Sequence, residues 1–351
     1  MKKQLTLIIP TYNMERYLRT CLDSLIVDEG QQTLEVLIIN DGSKDASSTI
    51  AHEYEEQMPD VFRVIDKENG NYGSCINRGL MEATGRYVKV LDADDHFDTT
   101  ALKTFLQAIS TIDTDMILTD NTIFGDNDIS KKYYGFELPQ GERLFFNDYA
   151  KLLSESIQMH NVTYKKELFN QFDYHQTEGI SYTDQEWIFE PMSHVSTFTY
   201  LPLPLYKYLI GREGQTISPE QIRKSSTHAL TLCNDMLTMY KKREDIDLGV
   251  HFYLYARLWR QVKSLYRTYL VEVPGLELEG LKAFDHRLEK ELPRFYRDSE
   301  NISMSPIIRI KYVSYWRRHQ HAQQPKWFYT IFNGYTKTLV WCKRILNIHH
   351  V

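Results

Sequence analysis

Leu5-Thr-Leu-Ile-Ile-Pro-Thr-Tyr-Asn13 and Leu34-Glu-Val-Leu-Ile-Ile-Asn-Asp-Gly-Ser43 share one plan: a short apolar run that stops at a polar turn. Such runs are too short for helices and lack polar alternation, as strands buried on both faces do. Val61–Ile65, Tyr87–Leu91 and Met116–Leu118 repeat the plan, and the run at 87–91 ends at Asp92-Ala-Asp-Asp95. Helical patterns lie between these runs. Tyr17, Leu18, Cys21, Leu22, Leu25 and Ile26 share one helical face, and Ala46–Gln57 is a more polar helix. Cys75, Ile76, Gly79 and Leu80 form another stripe, and Asp98 caps a helix with Leu102, Phe105, Leu106 and Ile109 on its core face. Strand–helix alternation of this kind predicts an α/β fold, a mostly parallel sheet flanked by helices.

The stretch 121–217 is rich in Tyr, Phe and Gly and reads as an α+β continuation of the same domain. Ser218-Pro219-Glu220 reads as a helix start, with Ser as cap and Pro in the first turn. Helical periodicity then runs to about residue 295, with helices expected over Leu248–Leu270 and Glu277–Leu292. The stripe Phe252, Leu254, Tyr255, Leu258, Trp259 and Val262 reads as helix core. We therefore expect two regions, 1–217 and a mostly helical 218–351.

With 42% hydrophobic and 25% charged residues, the 351-residue chain is neither disordered nor collagen-like. Its net charge of −6 hides an asymmetry: residues 301–351 hold eight Lys/Arg and no acid, so the first 300 carry −14. An acidic body argues against nucleic acid as partner. Cys21, Cys75, Cys233 and Cys342 stand at neither zinc-ligand nor redox spacing, and Lys2-Lys3 lead straight into the first strand. We expect reduced thiols and a cytoplasmic chain without a leader. Between 307 and 346, basic residues such as Arg309, Arg317, Arg318 and Lys326 alternate with Tyr312, Trp316, Trp327, Phe328 and Trp341. That composition suits a segment lying on an anionic membrane surface, at the inner face of the cell membrane. It equally suits packing on the helical region or self-association.

In open parallel sheets, ligands bind beyond the carboxyl ends of the strands. The residues standing there are Pro10-Thr-Tyr-Asn13, Asn40-Asp-Gly-Ser43, Lys67-Glu-Asn-Gly-Asn-Tyr-Gly73 and Asp92-Ala-Asp-Asp95. No Gly-x-Gly-x-x-Gly follows the first strand and no Gly-Lys-Ser/Thr occurs, which excludes dinucleotide and P-loop sites. A diphosphate would then be neutralised by a cation. Asp92 and Asp94 are hard oxygen ligands at the right place for Mn²⁺ or Mg²⁺.

Together these four segments, in this order and spacing, resemble glycosyltransferase family 2 over residues 4 to about 218. The resemblance implies a GT-A fold and an inverting, non-processive bacterial type of enzyme; the Gln-x-x-Arg-Trp of processive synthases is missing. It implies that Thr11, Tyr12 and Asn13 hold base and ribose, with the Tyr12 ring against the base, and that Asp41 hydrogen-bonds the base. Asn69, Asn71 and Gly73 would line the nucleoside. Asp92, with Ala93 behind it, would contact ribose or sugar, and Asp94 would ligate the metal. Within Gly179-Ile-Ser-Tyr-Thr-Asp-Gln-Glu-Trp187, Asp184 takes the place of the catalytic base. Thr183 stands where an acid is common, Glu186 is a rival base, and Trp187 would shape an acceptor pocket. Arg212, Thr216 and Ser218 would close over the diphosphate, on a loop given freedom by Gly211 and Gly214. His160 reads as a satisfied structural histidine, with a place facing the acceptor as the alternative, and Glu15 as a first-turn helix acid lying near the site.

The expected activity is transfer of one sugar, with inversion, from a nucleotide-diphosphate sugar, UDP-linked, to a glycan, lipid-linked or protein-attached acceptor. The alternatives are a non-catalytic nucleotide-sugar-binding partner of another transferase and a nucleotidyltransferase. The second would open with a Gly-rich basic loop, which is absent.

Overall fold

β1 (Leu5–Thr11) and β2 (Leu34–Asn40) are buried along their whole length. Both faces of each are covered, which is why neither alternates with polar residues. β3 (Phe62–Asp66) and β4 (Tyr87–Val90) complete a parallel group in the order β3-β2-β1-β4. The computed structural model describes residues 2–125, 130–181, 183–210, 223, 225–243 and 246–345.

Four helices connect or flank these strands: α1 (Leu18–Asp23), α2 (Ser47–Gln57), α3 (Asn71–Glu82) and α4 (Thr99–Ala108). The Asp98 side chain accepts the Ala101 N–H at 2.9 Å, the cap expected of it. α1 ends earlier than the apolar stripe suggested. Ser24 Oγ donates to the Cys21 carbonyl at 2.6 Å and accepts the Phe97 N–H at 3.1 Å, and Ile26 is left exposed. α3 lies close on the sheet through Gly79, where a Cβ would come within 2.4 Å of Ile8 Cγ2.

The sheet continues with β5 (His96–Phe97), β6 (Met116–Gly125), β7 (Ser130–Tyr134), β8 (Arg143–Phe145), β9 (Val162–Lys165) and β10 (Thr197–Ile210). Helix α5 (Phe146–Ser156) stands between β8 and β9 in the chain. β9 runs antiparallel to both β4 and β6, and β10 runs parallel to β6. The expected run at 116–118 is thus the start of a ten-residue strand. The result is a mixed, parallel-dominated sheet flanked by helices, in the order β3-β2-β1-β4-β9-β6-β10-β5 among the described residues.

Two compact units are present: Met1–Gln215 with Met239–Tyr255, and Thr216–Thr238 with Ala256–Val351. The second is helical, with Glu279–Glu291, Pro293–Ser299, Tyr312–Arg318 and Lys326–Ile345. Its core includes Leu258, Val262, Tyr266, Phe284, Trp316 and Phe328, and Arg317 meets the buried Asp285 at 2.6 Å. Several aromatics of the basic tail (Tyr312, Trp316, Phe328) are therefore spent inside this unit, while Trp327 stays half exposed. In the first unit, Phe252 of the expected core stripe is exposed. No described helix is long and apolar enough to cross a membrane. The expected helix start at Ser218 lies outside the described residues.

Candidate functional site

Strand register decides where the site forms. Thr11 pairs with Asn40, and Asn40 with Asp66, so three strands end in one row. The loops leaving that row tie to one another. Asn13, at φ 53°, turns left-handed; its Oδ1 accepts the Lys44 N–H at 2.7 Å and its own N–H meets Ser43 Oγ at 3.1 Å. Asn tolerates that conformation better than most residues. The Asp41 N–H donates to the Thr11 carbonyl, and Asn69 Nδ2 donates to the Asp41 carbonyl, both near 2.9 Å. Thr11 itself is buried, its Oγ1 turned to the Ile9 carbonyl.

This rim encloses a cleft of about 480 Å³ lined by Tyr12, Gly42, Lys44, Asp66, Lys67, Glu68 and Asn69. Tyr12 is 46% exposed, an aromatic face open to a ligand. Asp41 is buried beneath, where its Oδ1 accepts from Lys67 Nζ at 2.6 Å and from the Gly70 N–H at 2.9 Å. Lys67 also reaches Ser74 Oγ at 2.8 Å and, with Glu68 and Asn69, borders a second cavity of about 740 Å³ as well. Nothing in the sequence had singled it out beyond its place in the loop. Asn71 begins α3 at φ 66°. Gly73 lines neither cavity; a Cβ there would stand 2.0 Å from the Thr177 carbonyl oxygen, so its smallness serves close packing.

The turn after β4 carries the acidic loop. Asp92 Oδ1 accepts from the Tyr72 hydroxyl at 2.8 Å, and the Asp92 N–H donates to the Tyr206 hydroxyl at 3.1 Å. Ala93 is buried, and Asp94 is half-buried. Asp95 is buried and committed: Oδ2 accepts from Tyr206 at 2.7 Å and Oδ1 from the Leu209 N–H at 2.7 Å. Burial, followed by the charges of Asp94 and Asp92, pushes the Asp95 carboxyl well above its ordinary value.

Asp184 opens α6 (Asp184–Trp187). The short helix is pinned at several points: Gln176 Nε2 donates to the Thr183 carbonyl and hydroxyl at 2.9 Å, Tyr164 to the Trp187 carbonyl at 2.9 Å, and Tyr253 to the Ile188 carbonyl at 2.6 Å. Glu186, fully buried, accepts the Thr177 N–H and hydroxyl, each at 2.7 Å. Trp187 stacks on Phe169 inside the core, 1% exposed, so it does not shape an acceptor pocket as the sequence suggested. Asp184 remains half-buried. It belongs to the acidic loop electrostatically: Tyr208 is raised to about 12 by burial, then by Asp95, Asp92, Asp94 and Asp184 together. Tyr72 is raised by burial, then by Asp92 and, more weakly, Asp184.

His160 stands beside these groups. Its ring stacks between Tyr206 and Tyr208 at 4.4 and 4.6 Å, and Nδ1 is buried with no hydrogen-bond partner. The expectation of a satisfied structural histidine therefore fails. Burial, helped by the nearby Lys89, lowers its pKa to about 3. Lys89, buried below, donates to the carbonyls of His160 at 2.7 Å and Val162 at 3.1 Å, and burial lowers it to about 7. Ligand atoms of Asp92, Asp95 and His160 all lie within 4.8 Å of one another.

Residues 6–175 match the model of glycosyl transferase family 2. The chain carries a family 2 glycosyl transferase domain. EpsH of Bacillus subtilis is 28% identical over 268 residues, 70% of this chain and 74% of that protein. Among solved structures, S. aureus TarS 1–349 in complex with UDP-GlcNAc superposes with a TM-score of 0.58 at 19% identity, over 95% of this chain and 92% of that one. The mannosyltransferase PcManGT from Pyrobaculum calidifontis, in complex with GDP-Man and Mn²⁺, gives 0.50 at 15% identity, over 85% and 83%. The sheet is thus a GT-A sheet, followed by a helical C-terminal region.

Of the predicted residues, Thr11, Tyr12, Asn13, Asp41 and Asn69 stand at one rim, while Asp92 and Asp94 on the acidic loop and Asp184 on α6 act electrostatically on the same Tyr208. Arg212, Thr216 and Ser218 lie outside the described residues. Tyr72, from the segment after β3, and Tyr206 tie the acidic loop to α3 and β10; Tyr206 carried no sequence signal, because a buried tyrosine reads as core. Glu15, read as a helix acid, instead accepts the Ala46 N–H ahead of α2, at 2.9 Å. Cys21, Cys75 and Cys233 are free and buried.

Proposed function

We propose that this glycosyltransferase moves one sugar per encounter, with inversion, from a UDP-sugar to a hydroxyl of a glycan, lipid-linked or protein-attached acceptor. The observation that carries the reading is that the charge of Asp184 acts on Tyr208 and Tyr72, the same two tyrosines on which Asp92 acts. A base on one side of a sugar and a leaving-group clamp on the other is what in-line displacement requires.

On this reading the Tyr12 ring lies against the uracil, and the Asp41 carboxylate, held by Lys67, accepts from a uracil N–H. Asn69 and Asn71 border the nucleoside, and Thr11, Asn13, Gly73 and Ala93 shape the backbone around it. Asp92 and Asp94 hold a divalent cation. Their oxygen donors suit Mn²⁺ or Mg²⁺. When bound, the cation offsets the charge that develops on the departing diphosphate. Arg212, Thr216 and Ser218, which come after β10 in the chain, are assigned to the same diphosphate. Asp184 removes the proton from the acceptor hydroxyl as that oxygen attacks. Glu186 is unsuited to this, because both its oxygens are engaged by Thr177. UDP-GlcNAc in TarS and Mn²⁺ in PcManGT support the choice of donor and metal by likeness of fold.

The test is UDP release from a panel of UDP-sugars with Mn²⁺, comparing wild type with Asp184→Asn. Donor-dependent release that drops by about 10²–10⁴ in the variant supports the assignment. Equal background release from both would leave a nucleotide-sugar-binding protein without turnover.

A further inference from the structure

We propose that His160 is a nitrogen ligand of the cation at this site, joining Asp92, so that the site selects a first-row transition ion over Mg²⁺. The inference rests on the metal-dependent reading above and concerns a residue that the sequence motifs do not contain.

The geometry supplies two independent observations. Ligand atoms of His160, Asp92 and Asp95 stand within 4.8 Å of one another, close enough for one ion to meet more than one of them. Separately, the His160 ring has a buried nitrogen without a partner. A buried polar atom left unsatisfied costs roughly 1–3 kcal/mol, so native folds rarely keep one unless an ion or water completes it. The rest of the residue is firmly set. Lys89 Nζ donates to its carbonyl at 2.7 Å, Gln158 and Asn161 on either side exchange side-chain and backbone hydrogen bonds, and two tyrosine rings fix the imidazole plane. A ring this constrained is a preorganised ligand rather than a loose surface histidine.

The three side chains divide the work unequally. Asp95 has one oxygen on the Tyr206 hydroxyl and the other on the Leu209 N–H, so it holds β10 to the acidic loop. His160 then adds a nitrogen donor to the oxygen donors of Asp92 and Asp94 already assigned to the cation. Mg²⁺ prefers an all-oxygen set, and an imidazole nitrogen shifts preference towards Mn²⁺ or Co²⁺.

Pulsed electron paramagnetic resonance on the full chain with Mn²⁺ and UDP reads this directly. Expected are ³¹P couplings from the diphosphate and a ¹⁴N coupling from imidazole. The ¹⁴N coupling vanishes in His160→Gln, and the Mn²⁺ dissociation constant rises by about tenfold or more while that for Mg²⁺ moves less. Growing the wild type on ¹⁵N-histidine must convert the ¹⁴N signal to ¹⁵N, a check that needs no variant to fold. Phosphorus coupling without any nitrogen coupling, or a nitrogen coupling retained in folded His160→Gln, overturns the ligand assignment and leaves the metal-dependent reading standing. UDP binding without Mn²⁺ binding overturns both.

Discussion

Two carboxylates two residues apart are assigned opposite duties, and exchanging each for its amide separates them. Glu186 is fully buried and takes two hydrogen bonds of 2.7 Å from Thr177. In Glu186→Gln one amide oxygen still accepts the Thr177 N–H. The Thr177 hydroxyl can rotate to accept from the new NH₂, so the loss is chiefly the charge-assisted part of two bonds, about 1–2 kcal/mol. Glu186→Ala strands both Thr177 donors and opens a cavity, for roughly 3–5 kcal/mol. For a unit of this size 1 kcal/mol moves the melting temperature by about 2–4 °C, so the Ala variant melts roughly 6–20 °C early and the Gln variant about 2–8 °C early. Asp184 is half-buried, and Gln185 Nε2 donates to its Oδ2 at 2.8 Å. Asp184→Asn should leave melting within about 0.5 kcal/mol of wild type, as substitutions away from buried networks do, yet lower kcat by about 10²–10⁴. Differential scanning fluorimetry and UDP release on the same preparations give both readouts. Normal melting with lost turnover in Glu186→Gln, together with retained turnover in Asp184→Asn, would refute the reasoning and exchange the two roles.

Tyr12→Ala removes the exposed ring of the nucleoside cleft and should weaken UDP binding by about tenfold, for roughly 0.5–1.5 kcal/mol of aromatic contact plus lost area, with melting unchanged; calorimetric titration of UDP checks it. Gly73→Ala drives a methyl into the Thr177 carbonyl 2.0 Å away and should destabilise by about 1–3 kcal/mol or more, read by urea denaturation. His52 sits between Glu55 and Asp66 at 2.8 Å each, and its hydrogen bond to Asp66 raises its pKa. The stabilisation is fully present below pH 6.5 and lost as pH rises through the raised value, so wild type should exceed His52→Gln in stability at pH 5.5 and match it at pH 9. All three groups are substantially exposed, which keeps the effect under about 1 kcal/mol and makes it sensitive to salt.

The parallel half of the sheet was legible because each strand is covered on both faces and writes itself as an unbroken apolar run. Leu5–Thr11 and Leu34–Asn40 are the clearest cases. β7 and β8 were not legible: Ser130–Tyr134 and Arg143–Phe145 are short, partly polar edge pairings that long-range contacts impose. The same division holds in the candidate site. Residues at strand ends announce themselves by position, as Tyr12, Asp41 and Asp92 do. His160 and Tyr206 come from a turn and a strand more than sixty residues later, and only the sheet order β4-β9-β6-β10 brings them to the acidic loop. Trp187 misled in the opposite direction. A tryptophan next to a candidate base suggested the wall of an acceptor pocket, but a stack on Phe169 had claimed it.

Asp95 binds Tyr206 and Leu209 at the point where β10 hands the chain to residues 211 and onward. Anyone splicing this protein with a relative, to exchange the region after the catalytic sheet, inherits a constraint from that pair of bonds. A crossover placed between 97 and 205 would mate one parent's aspartate with another parent's tyrosine. One placed after Ile210 keeps the two strands as the matched set in which they arose.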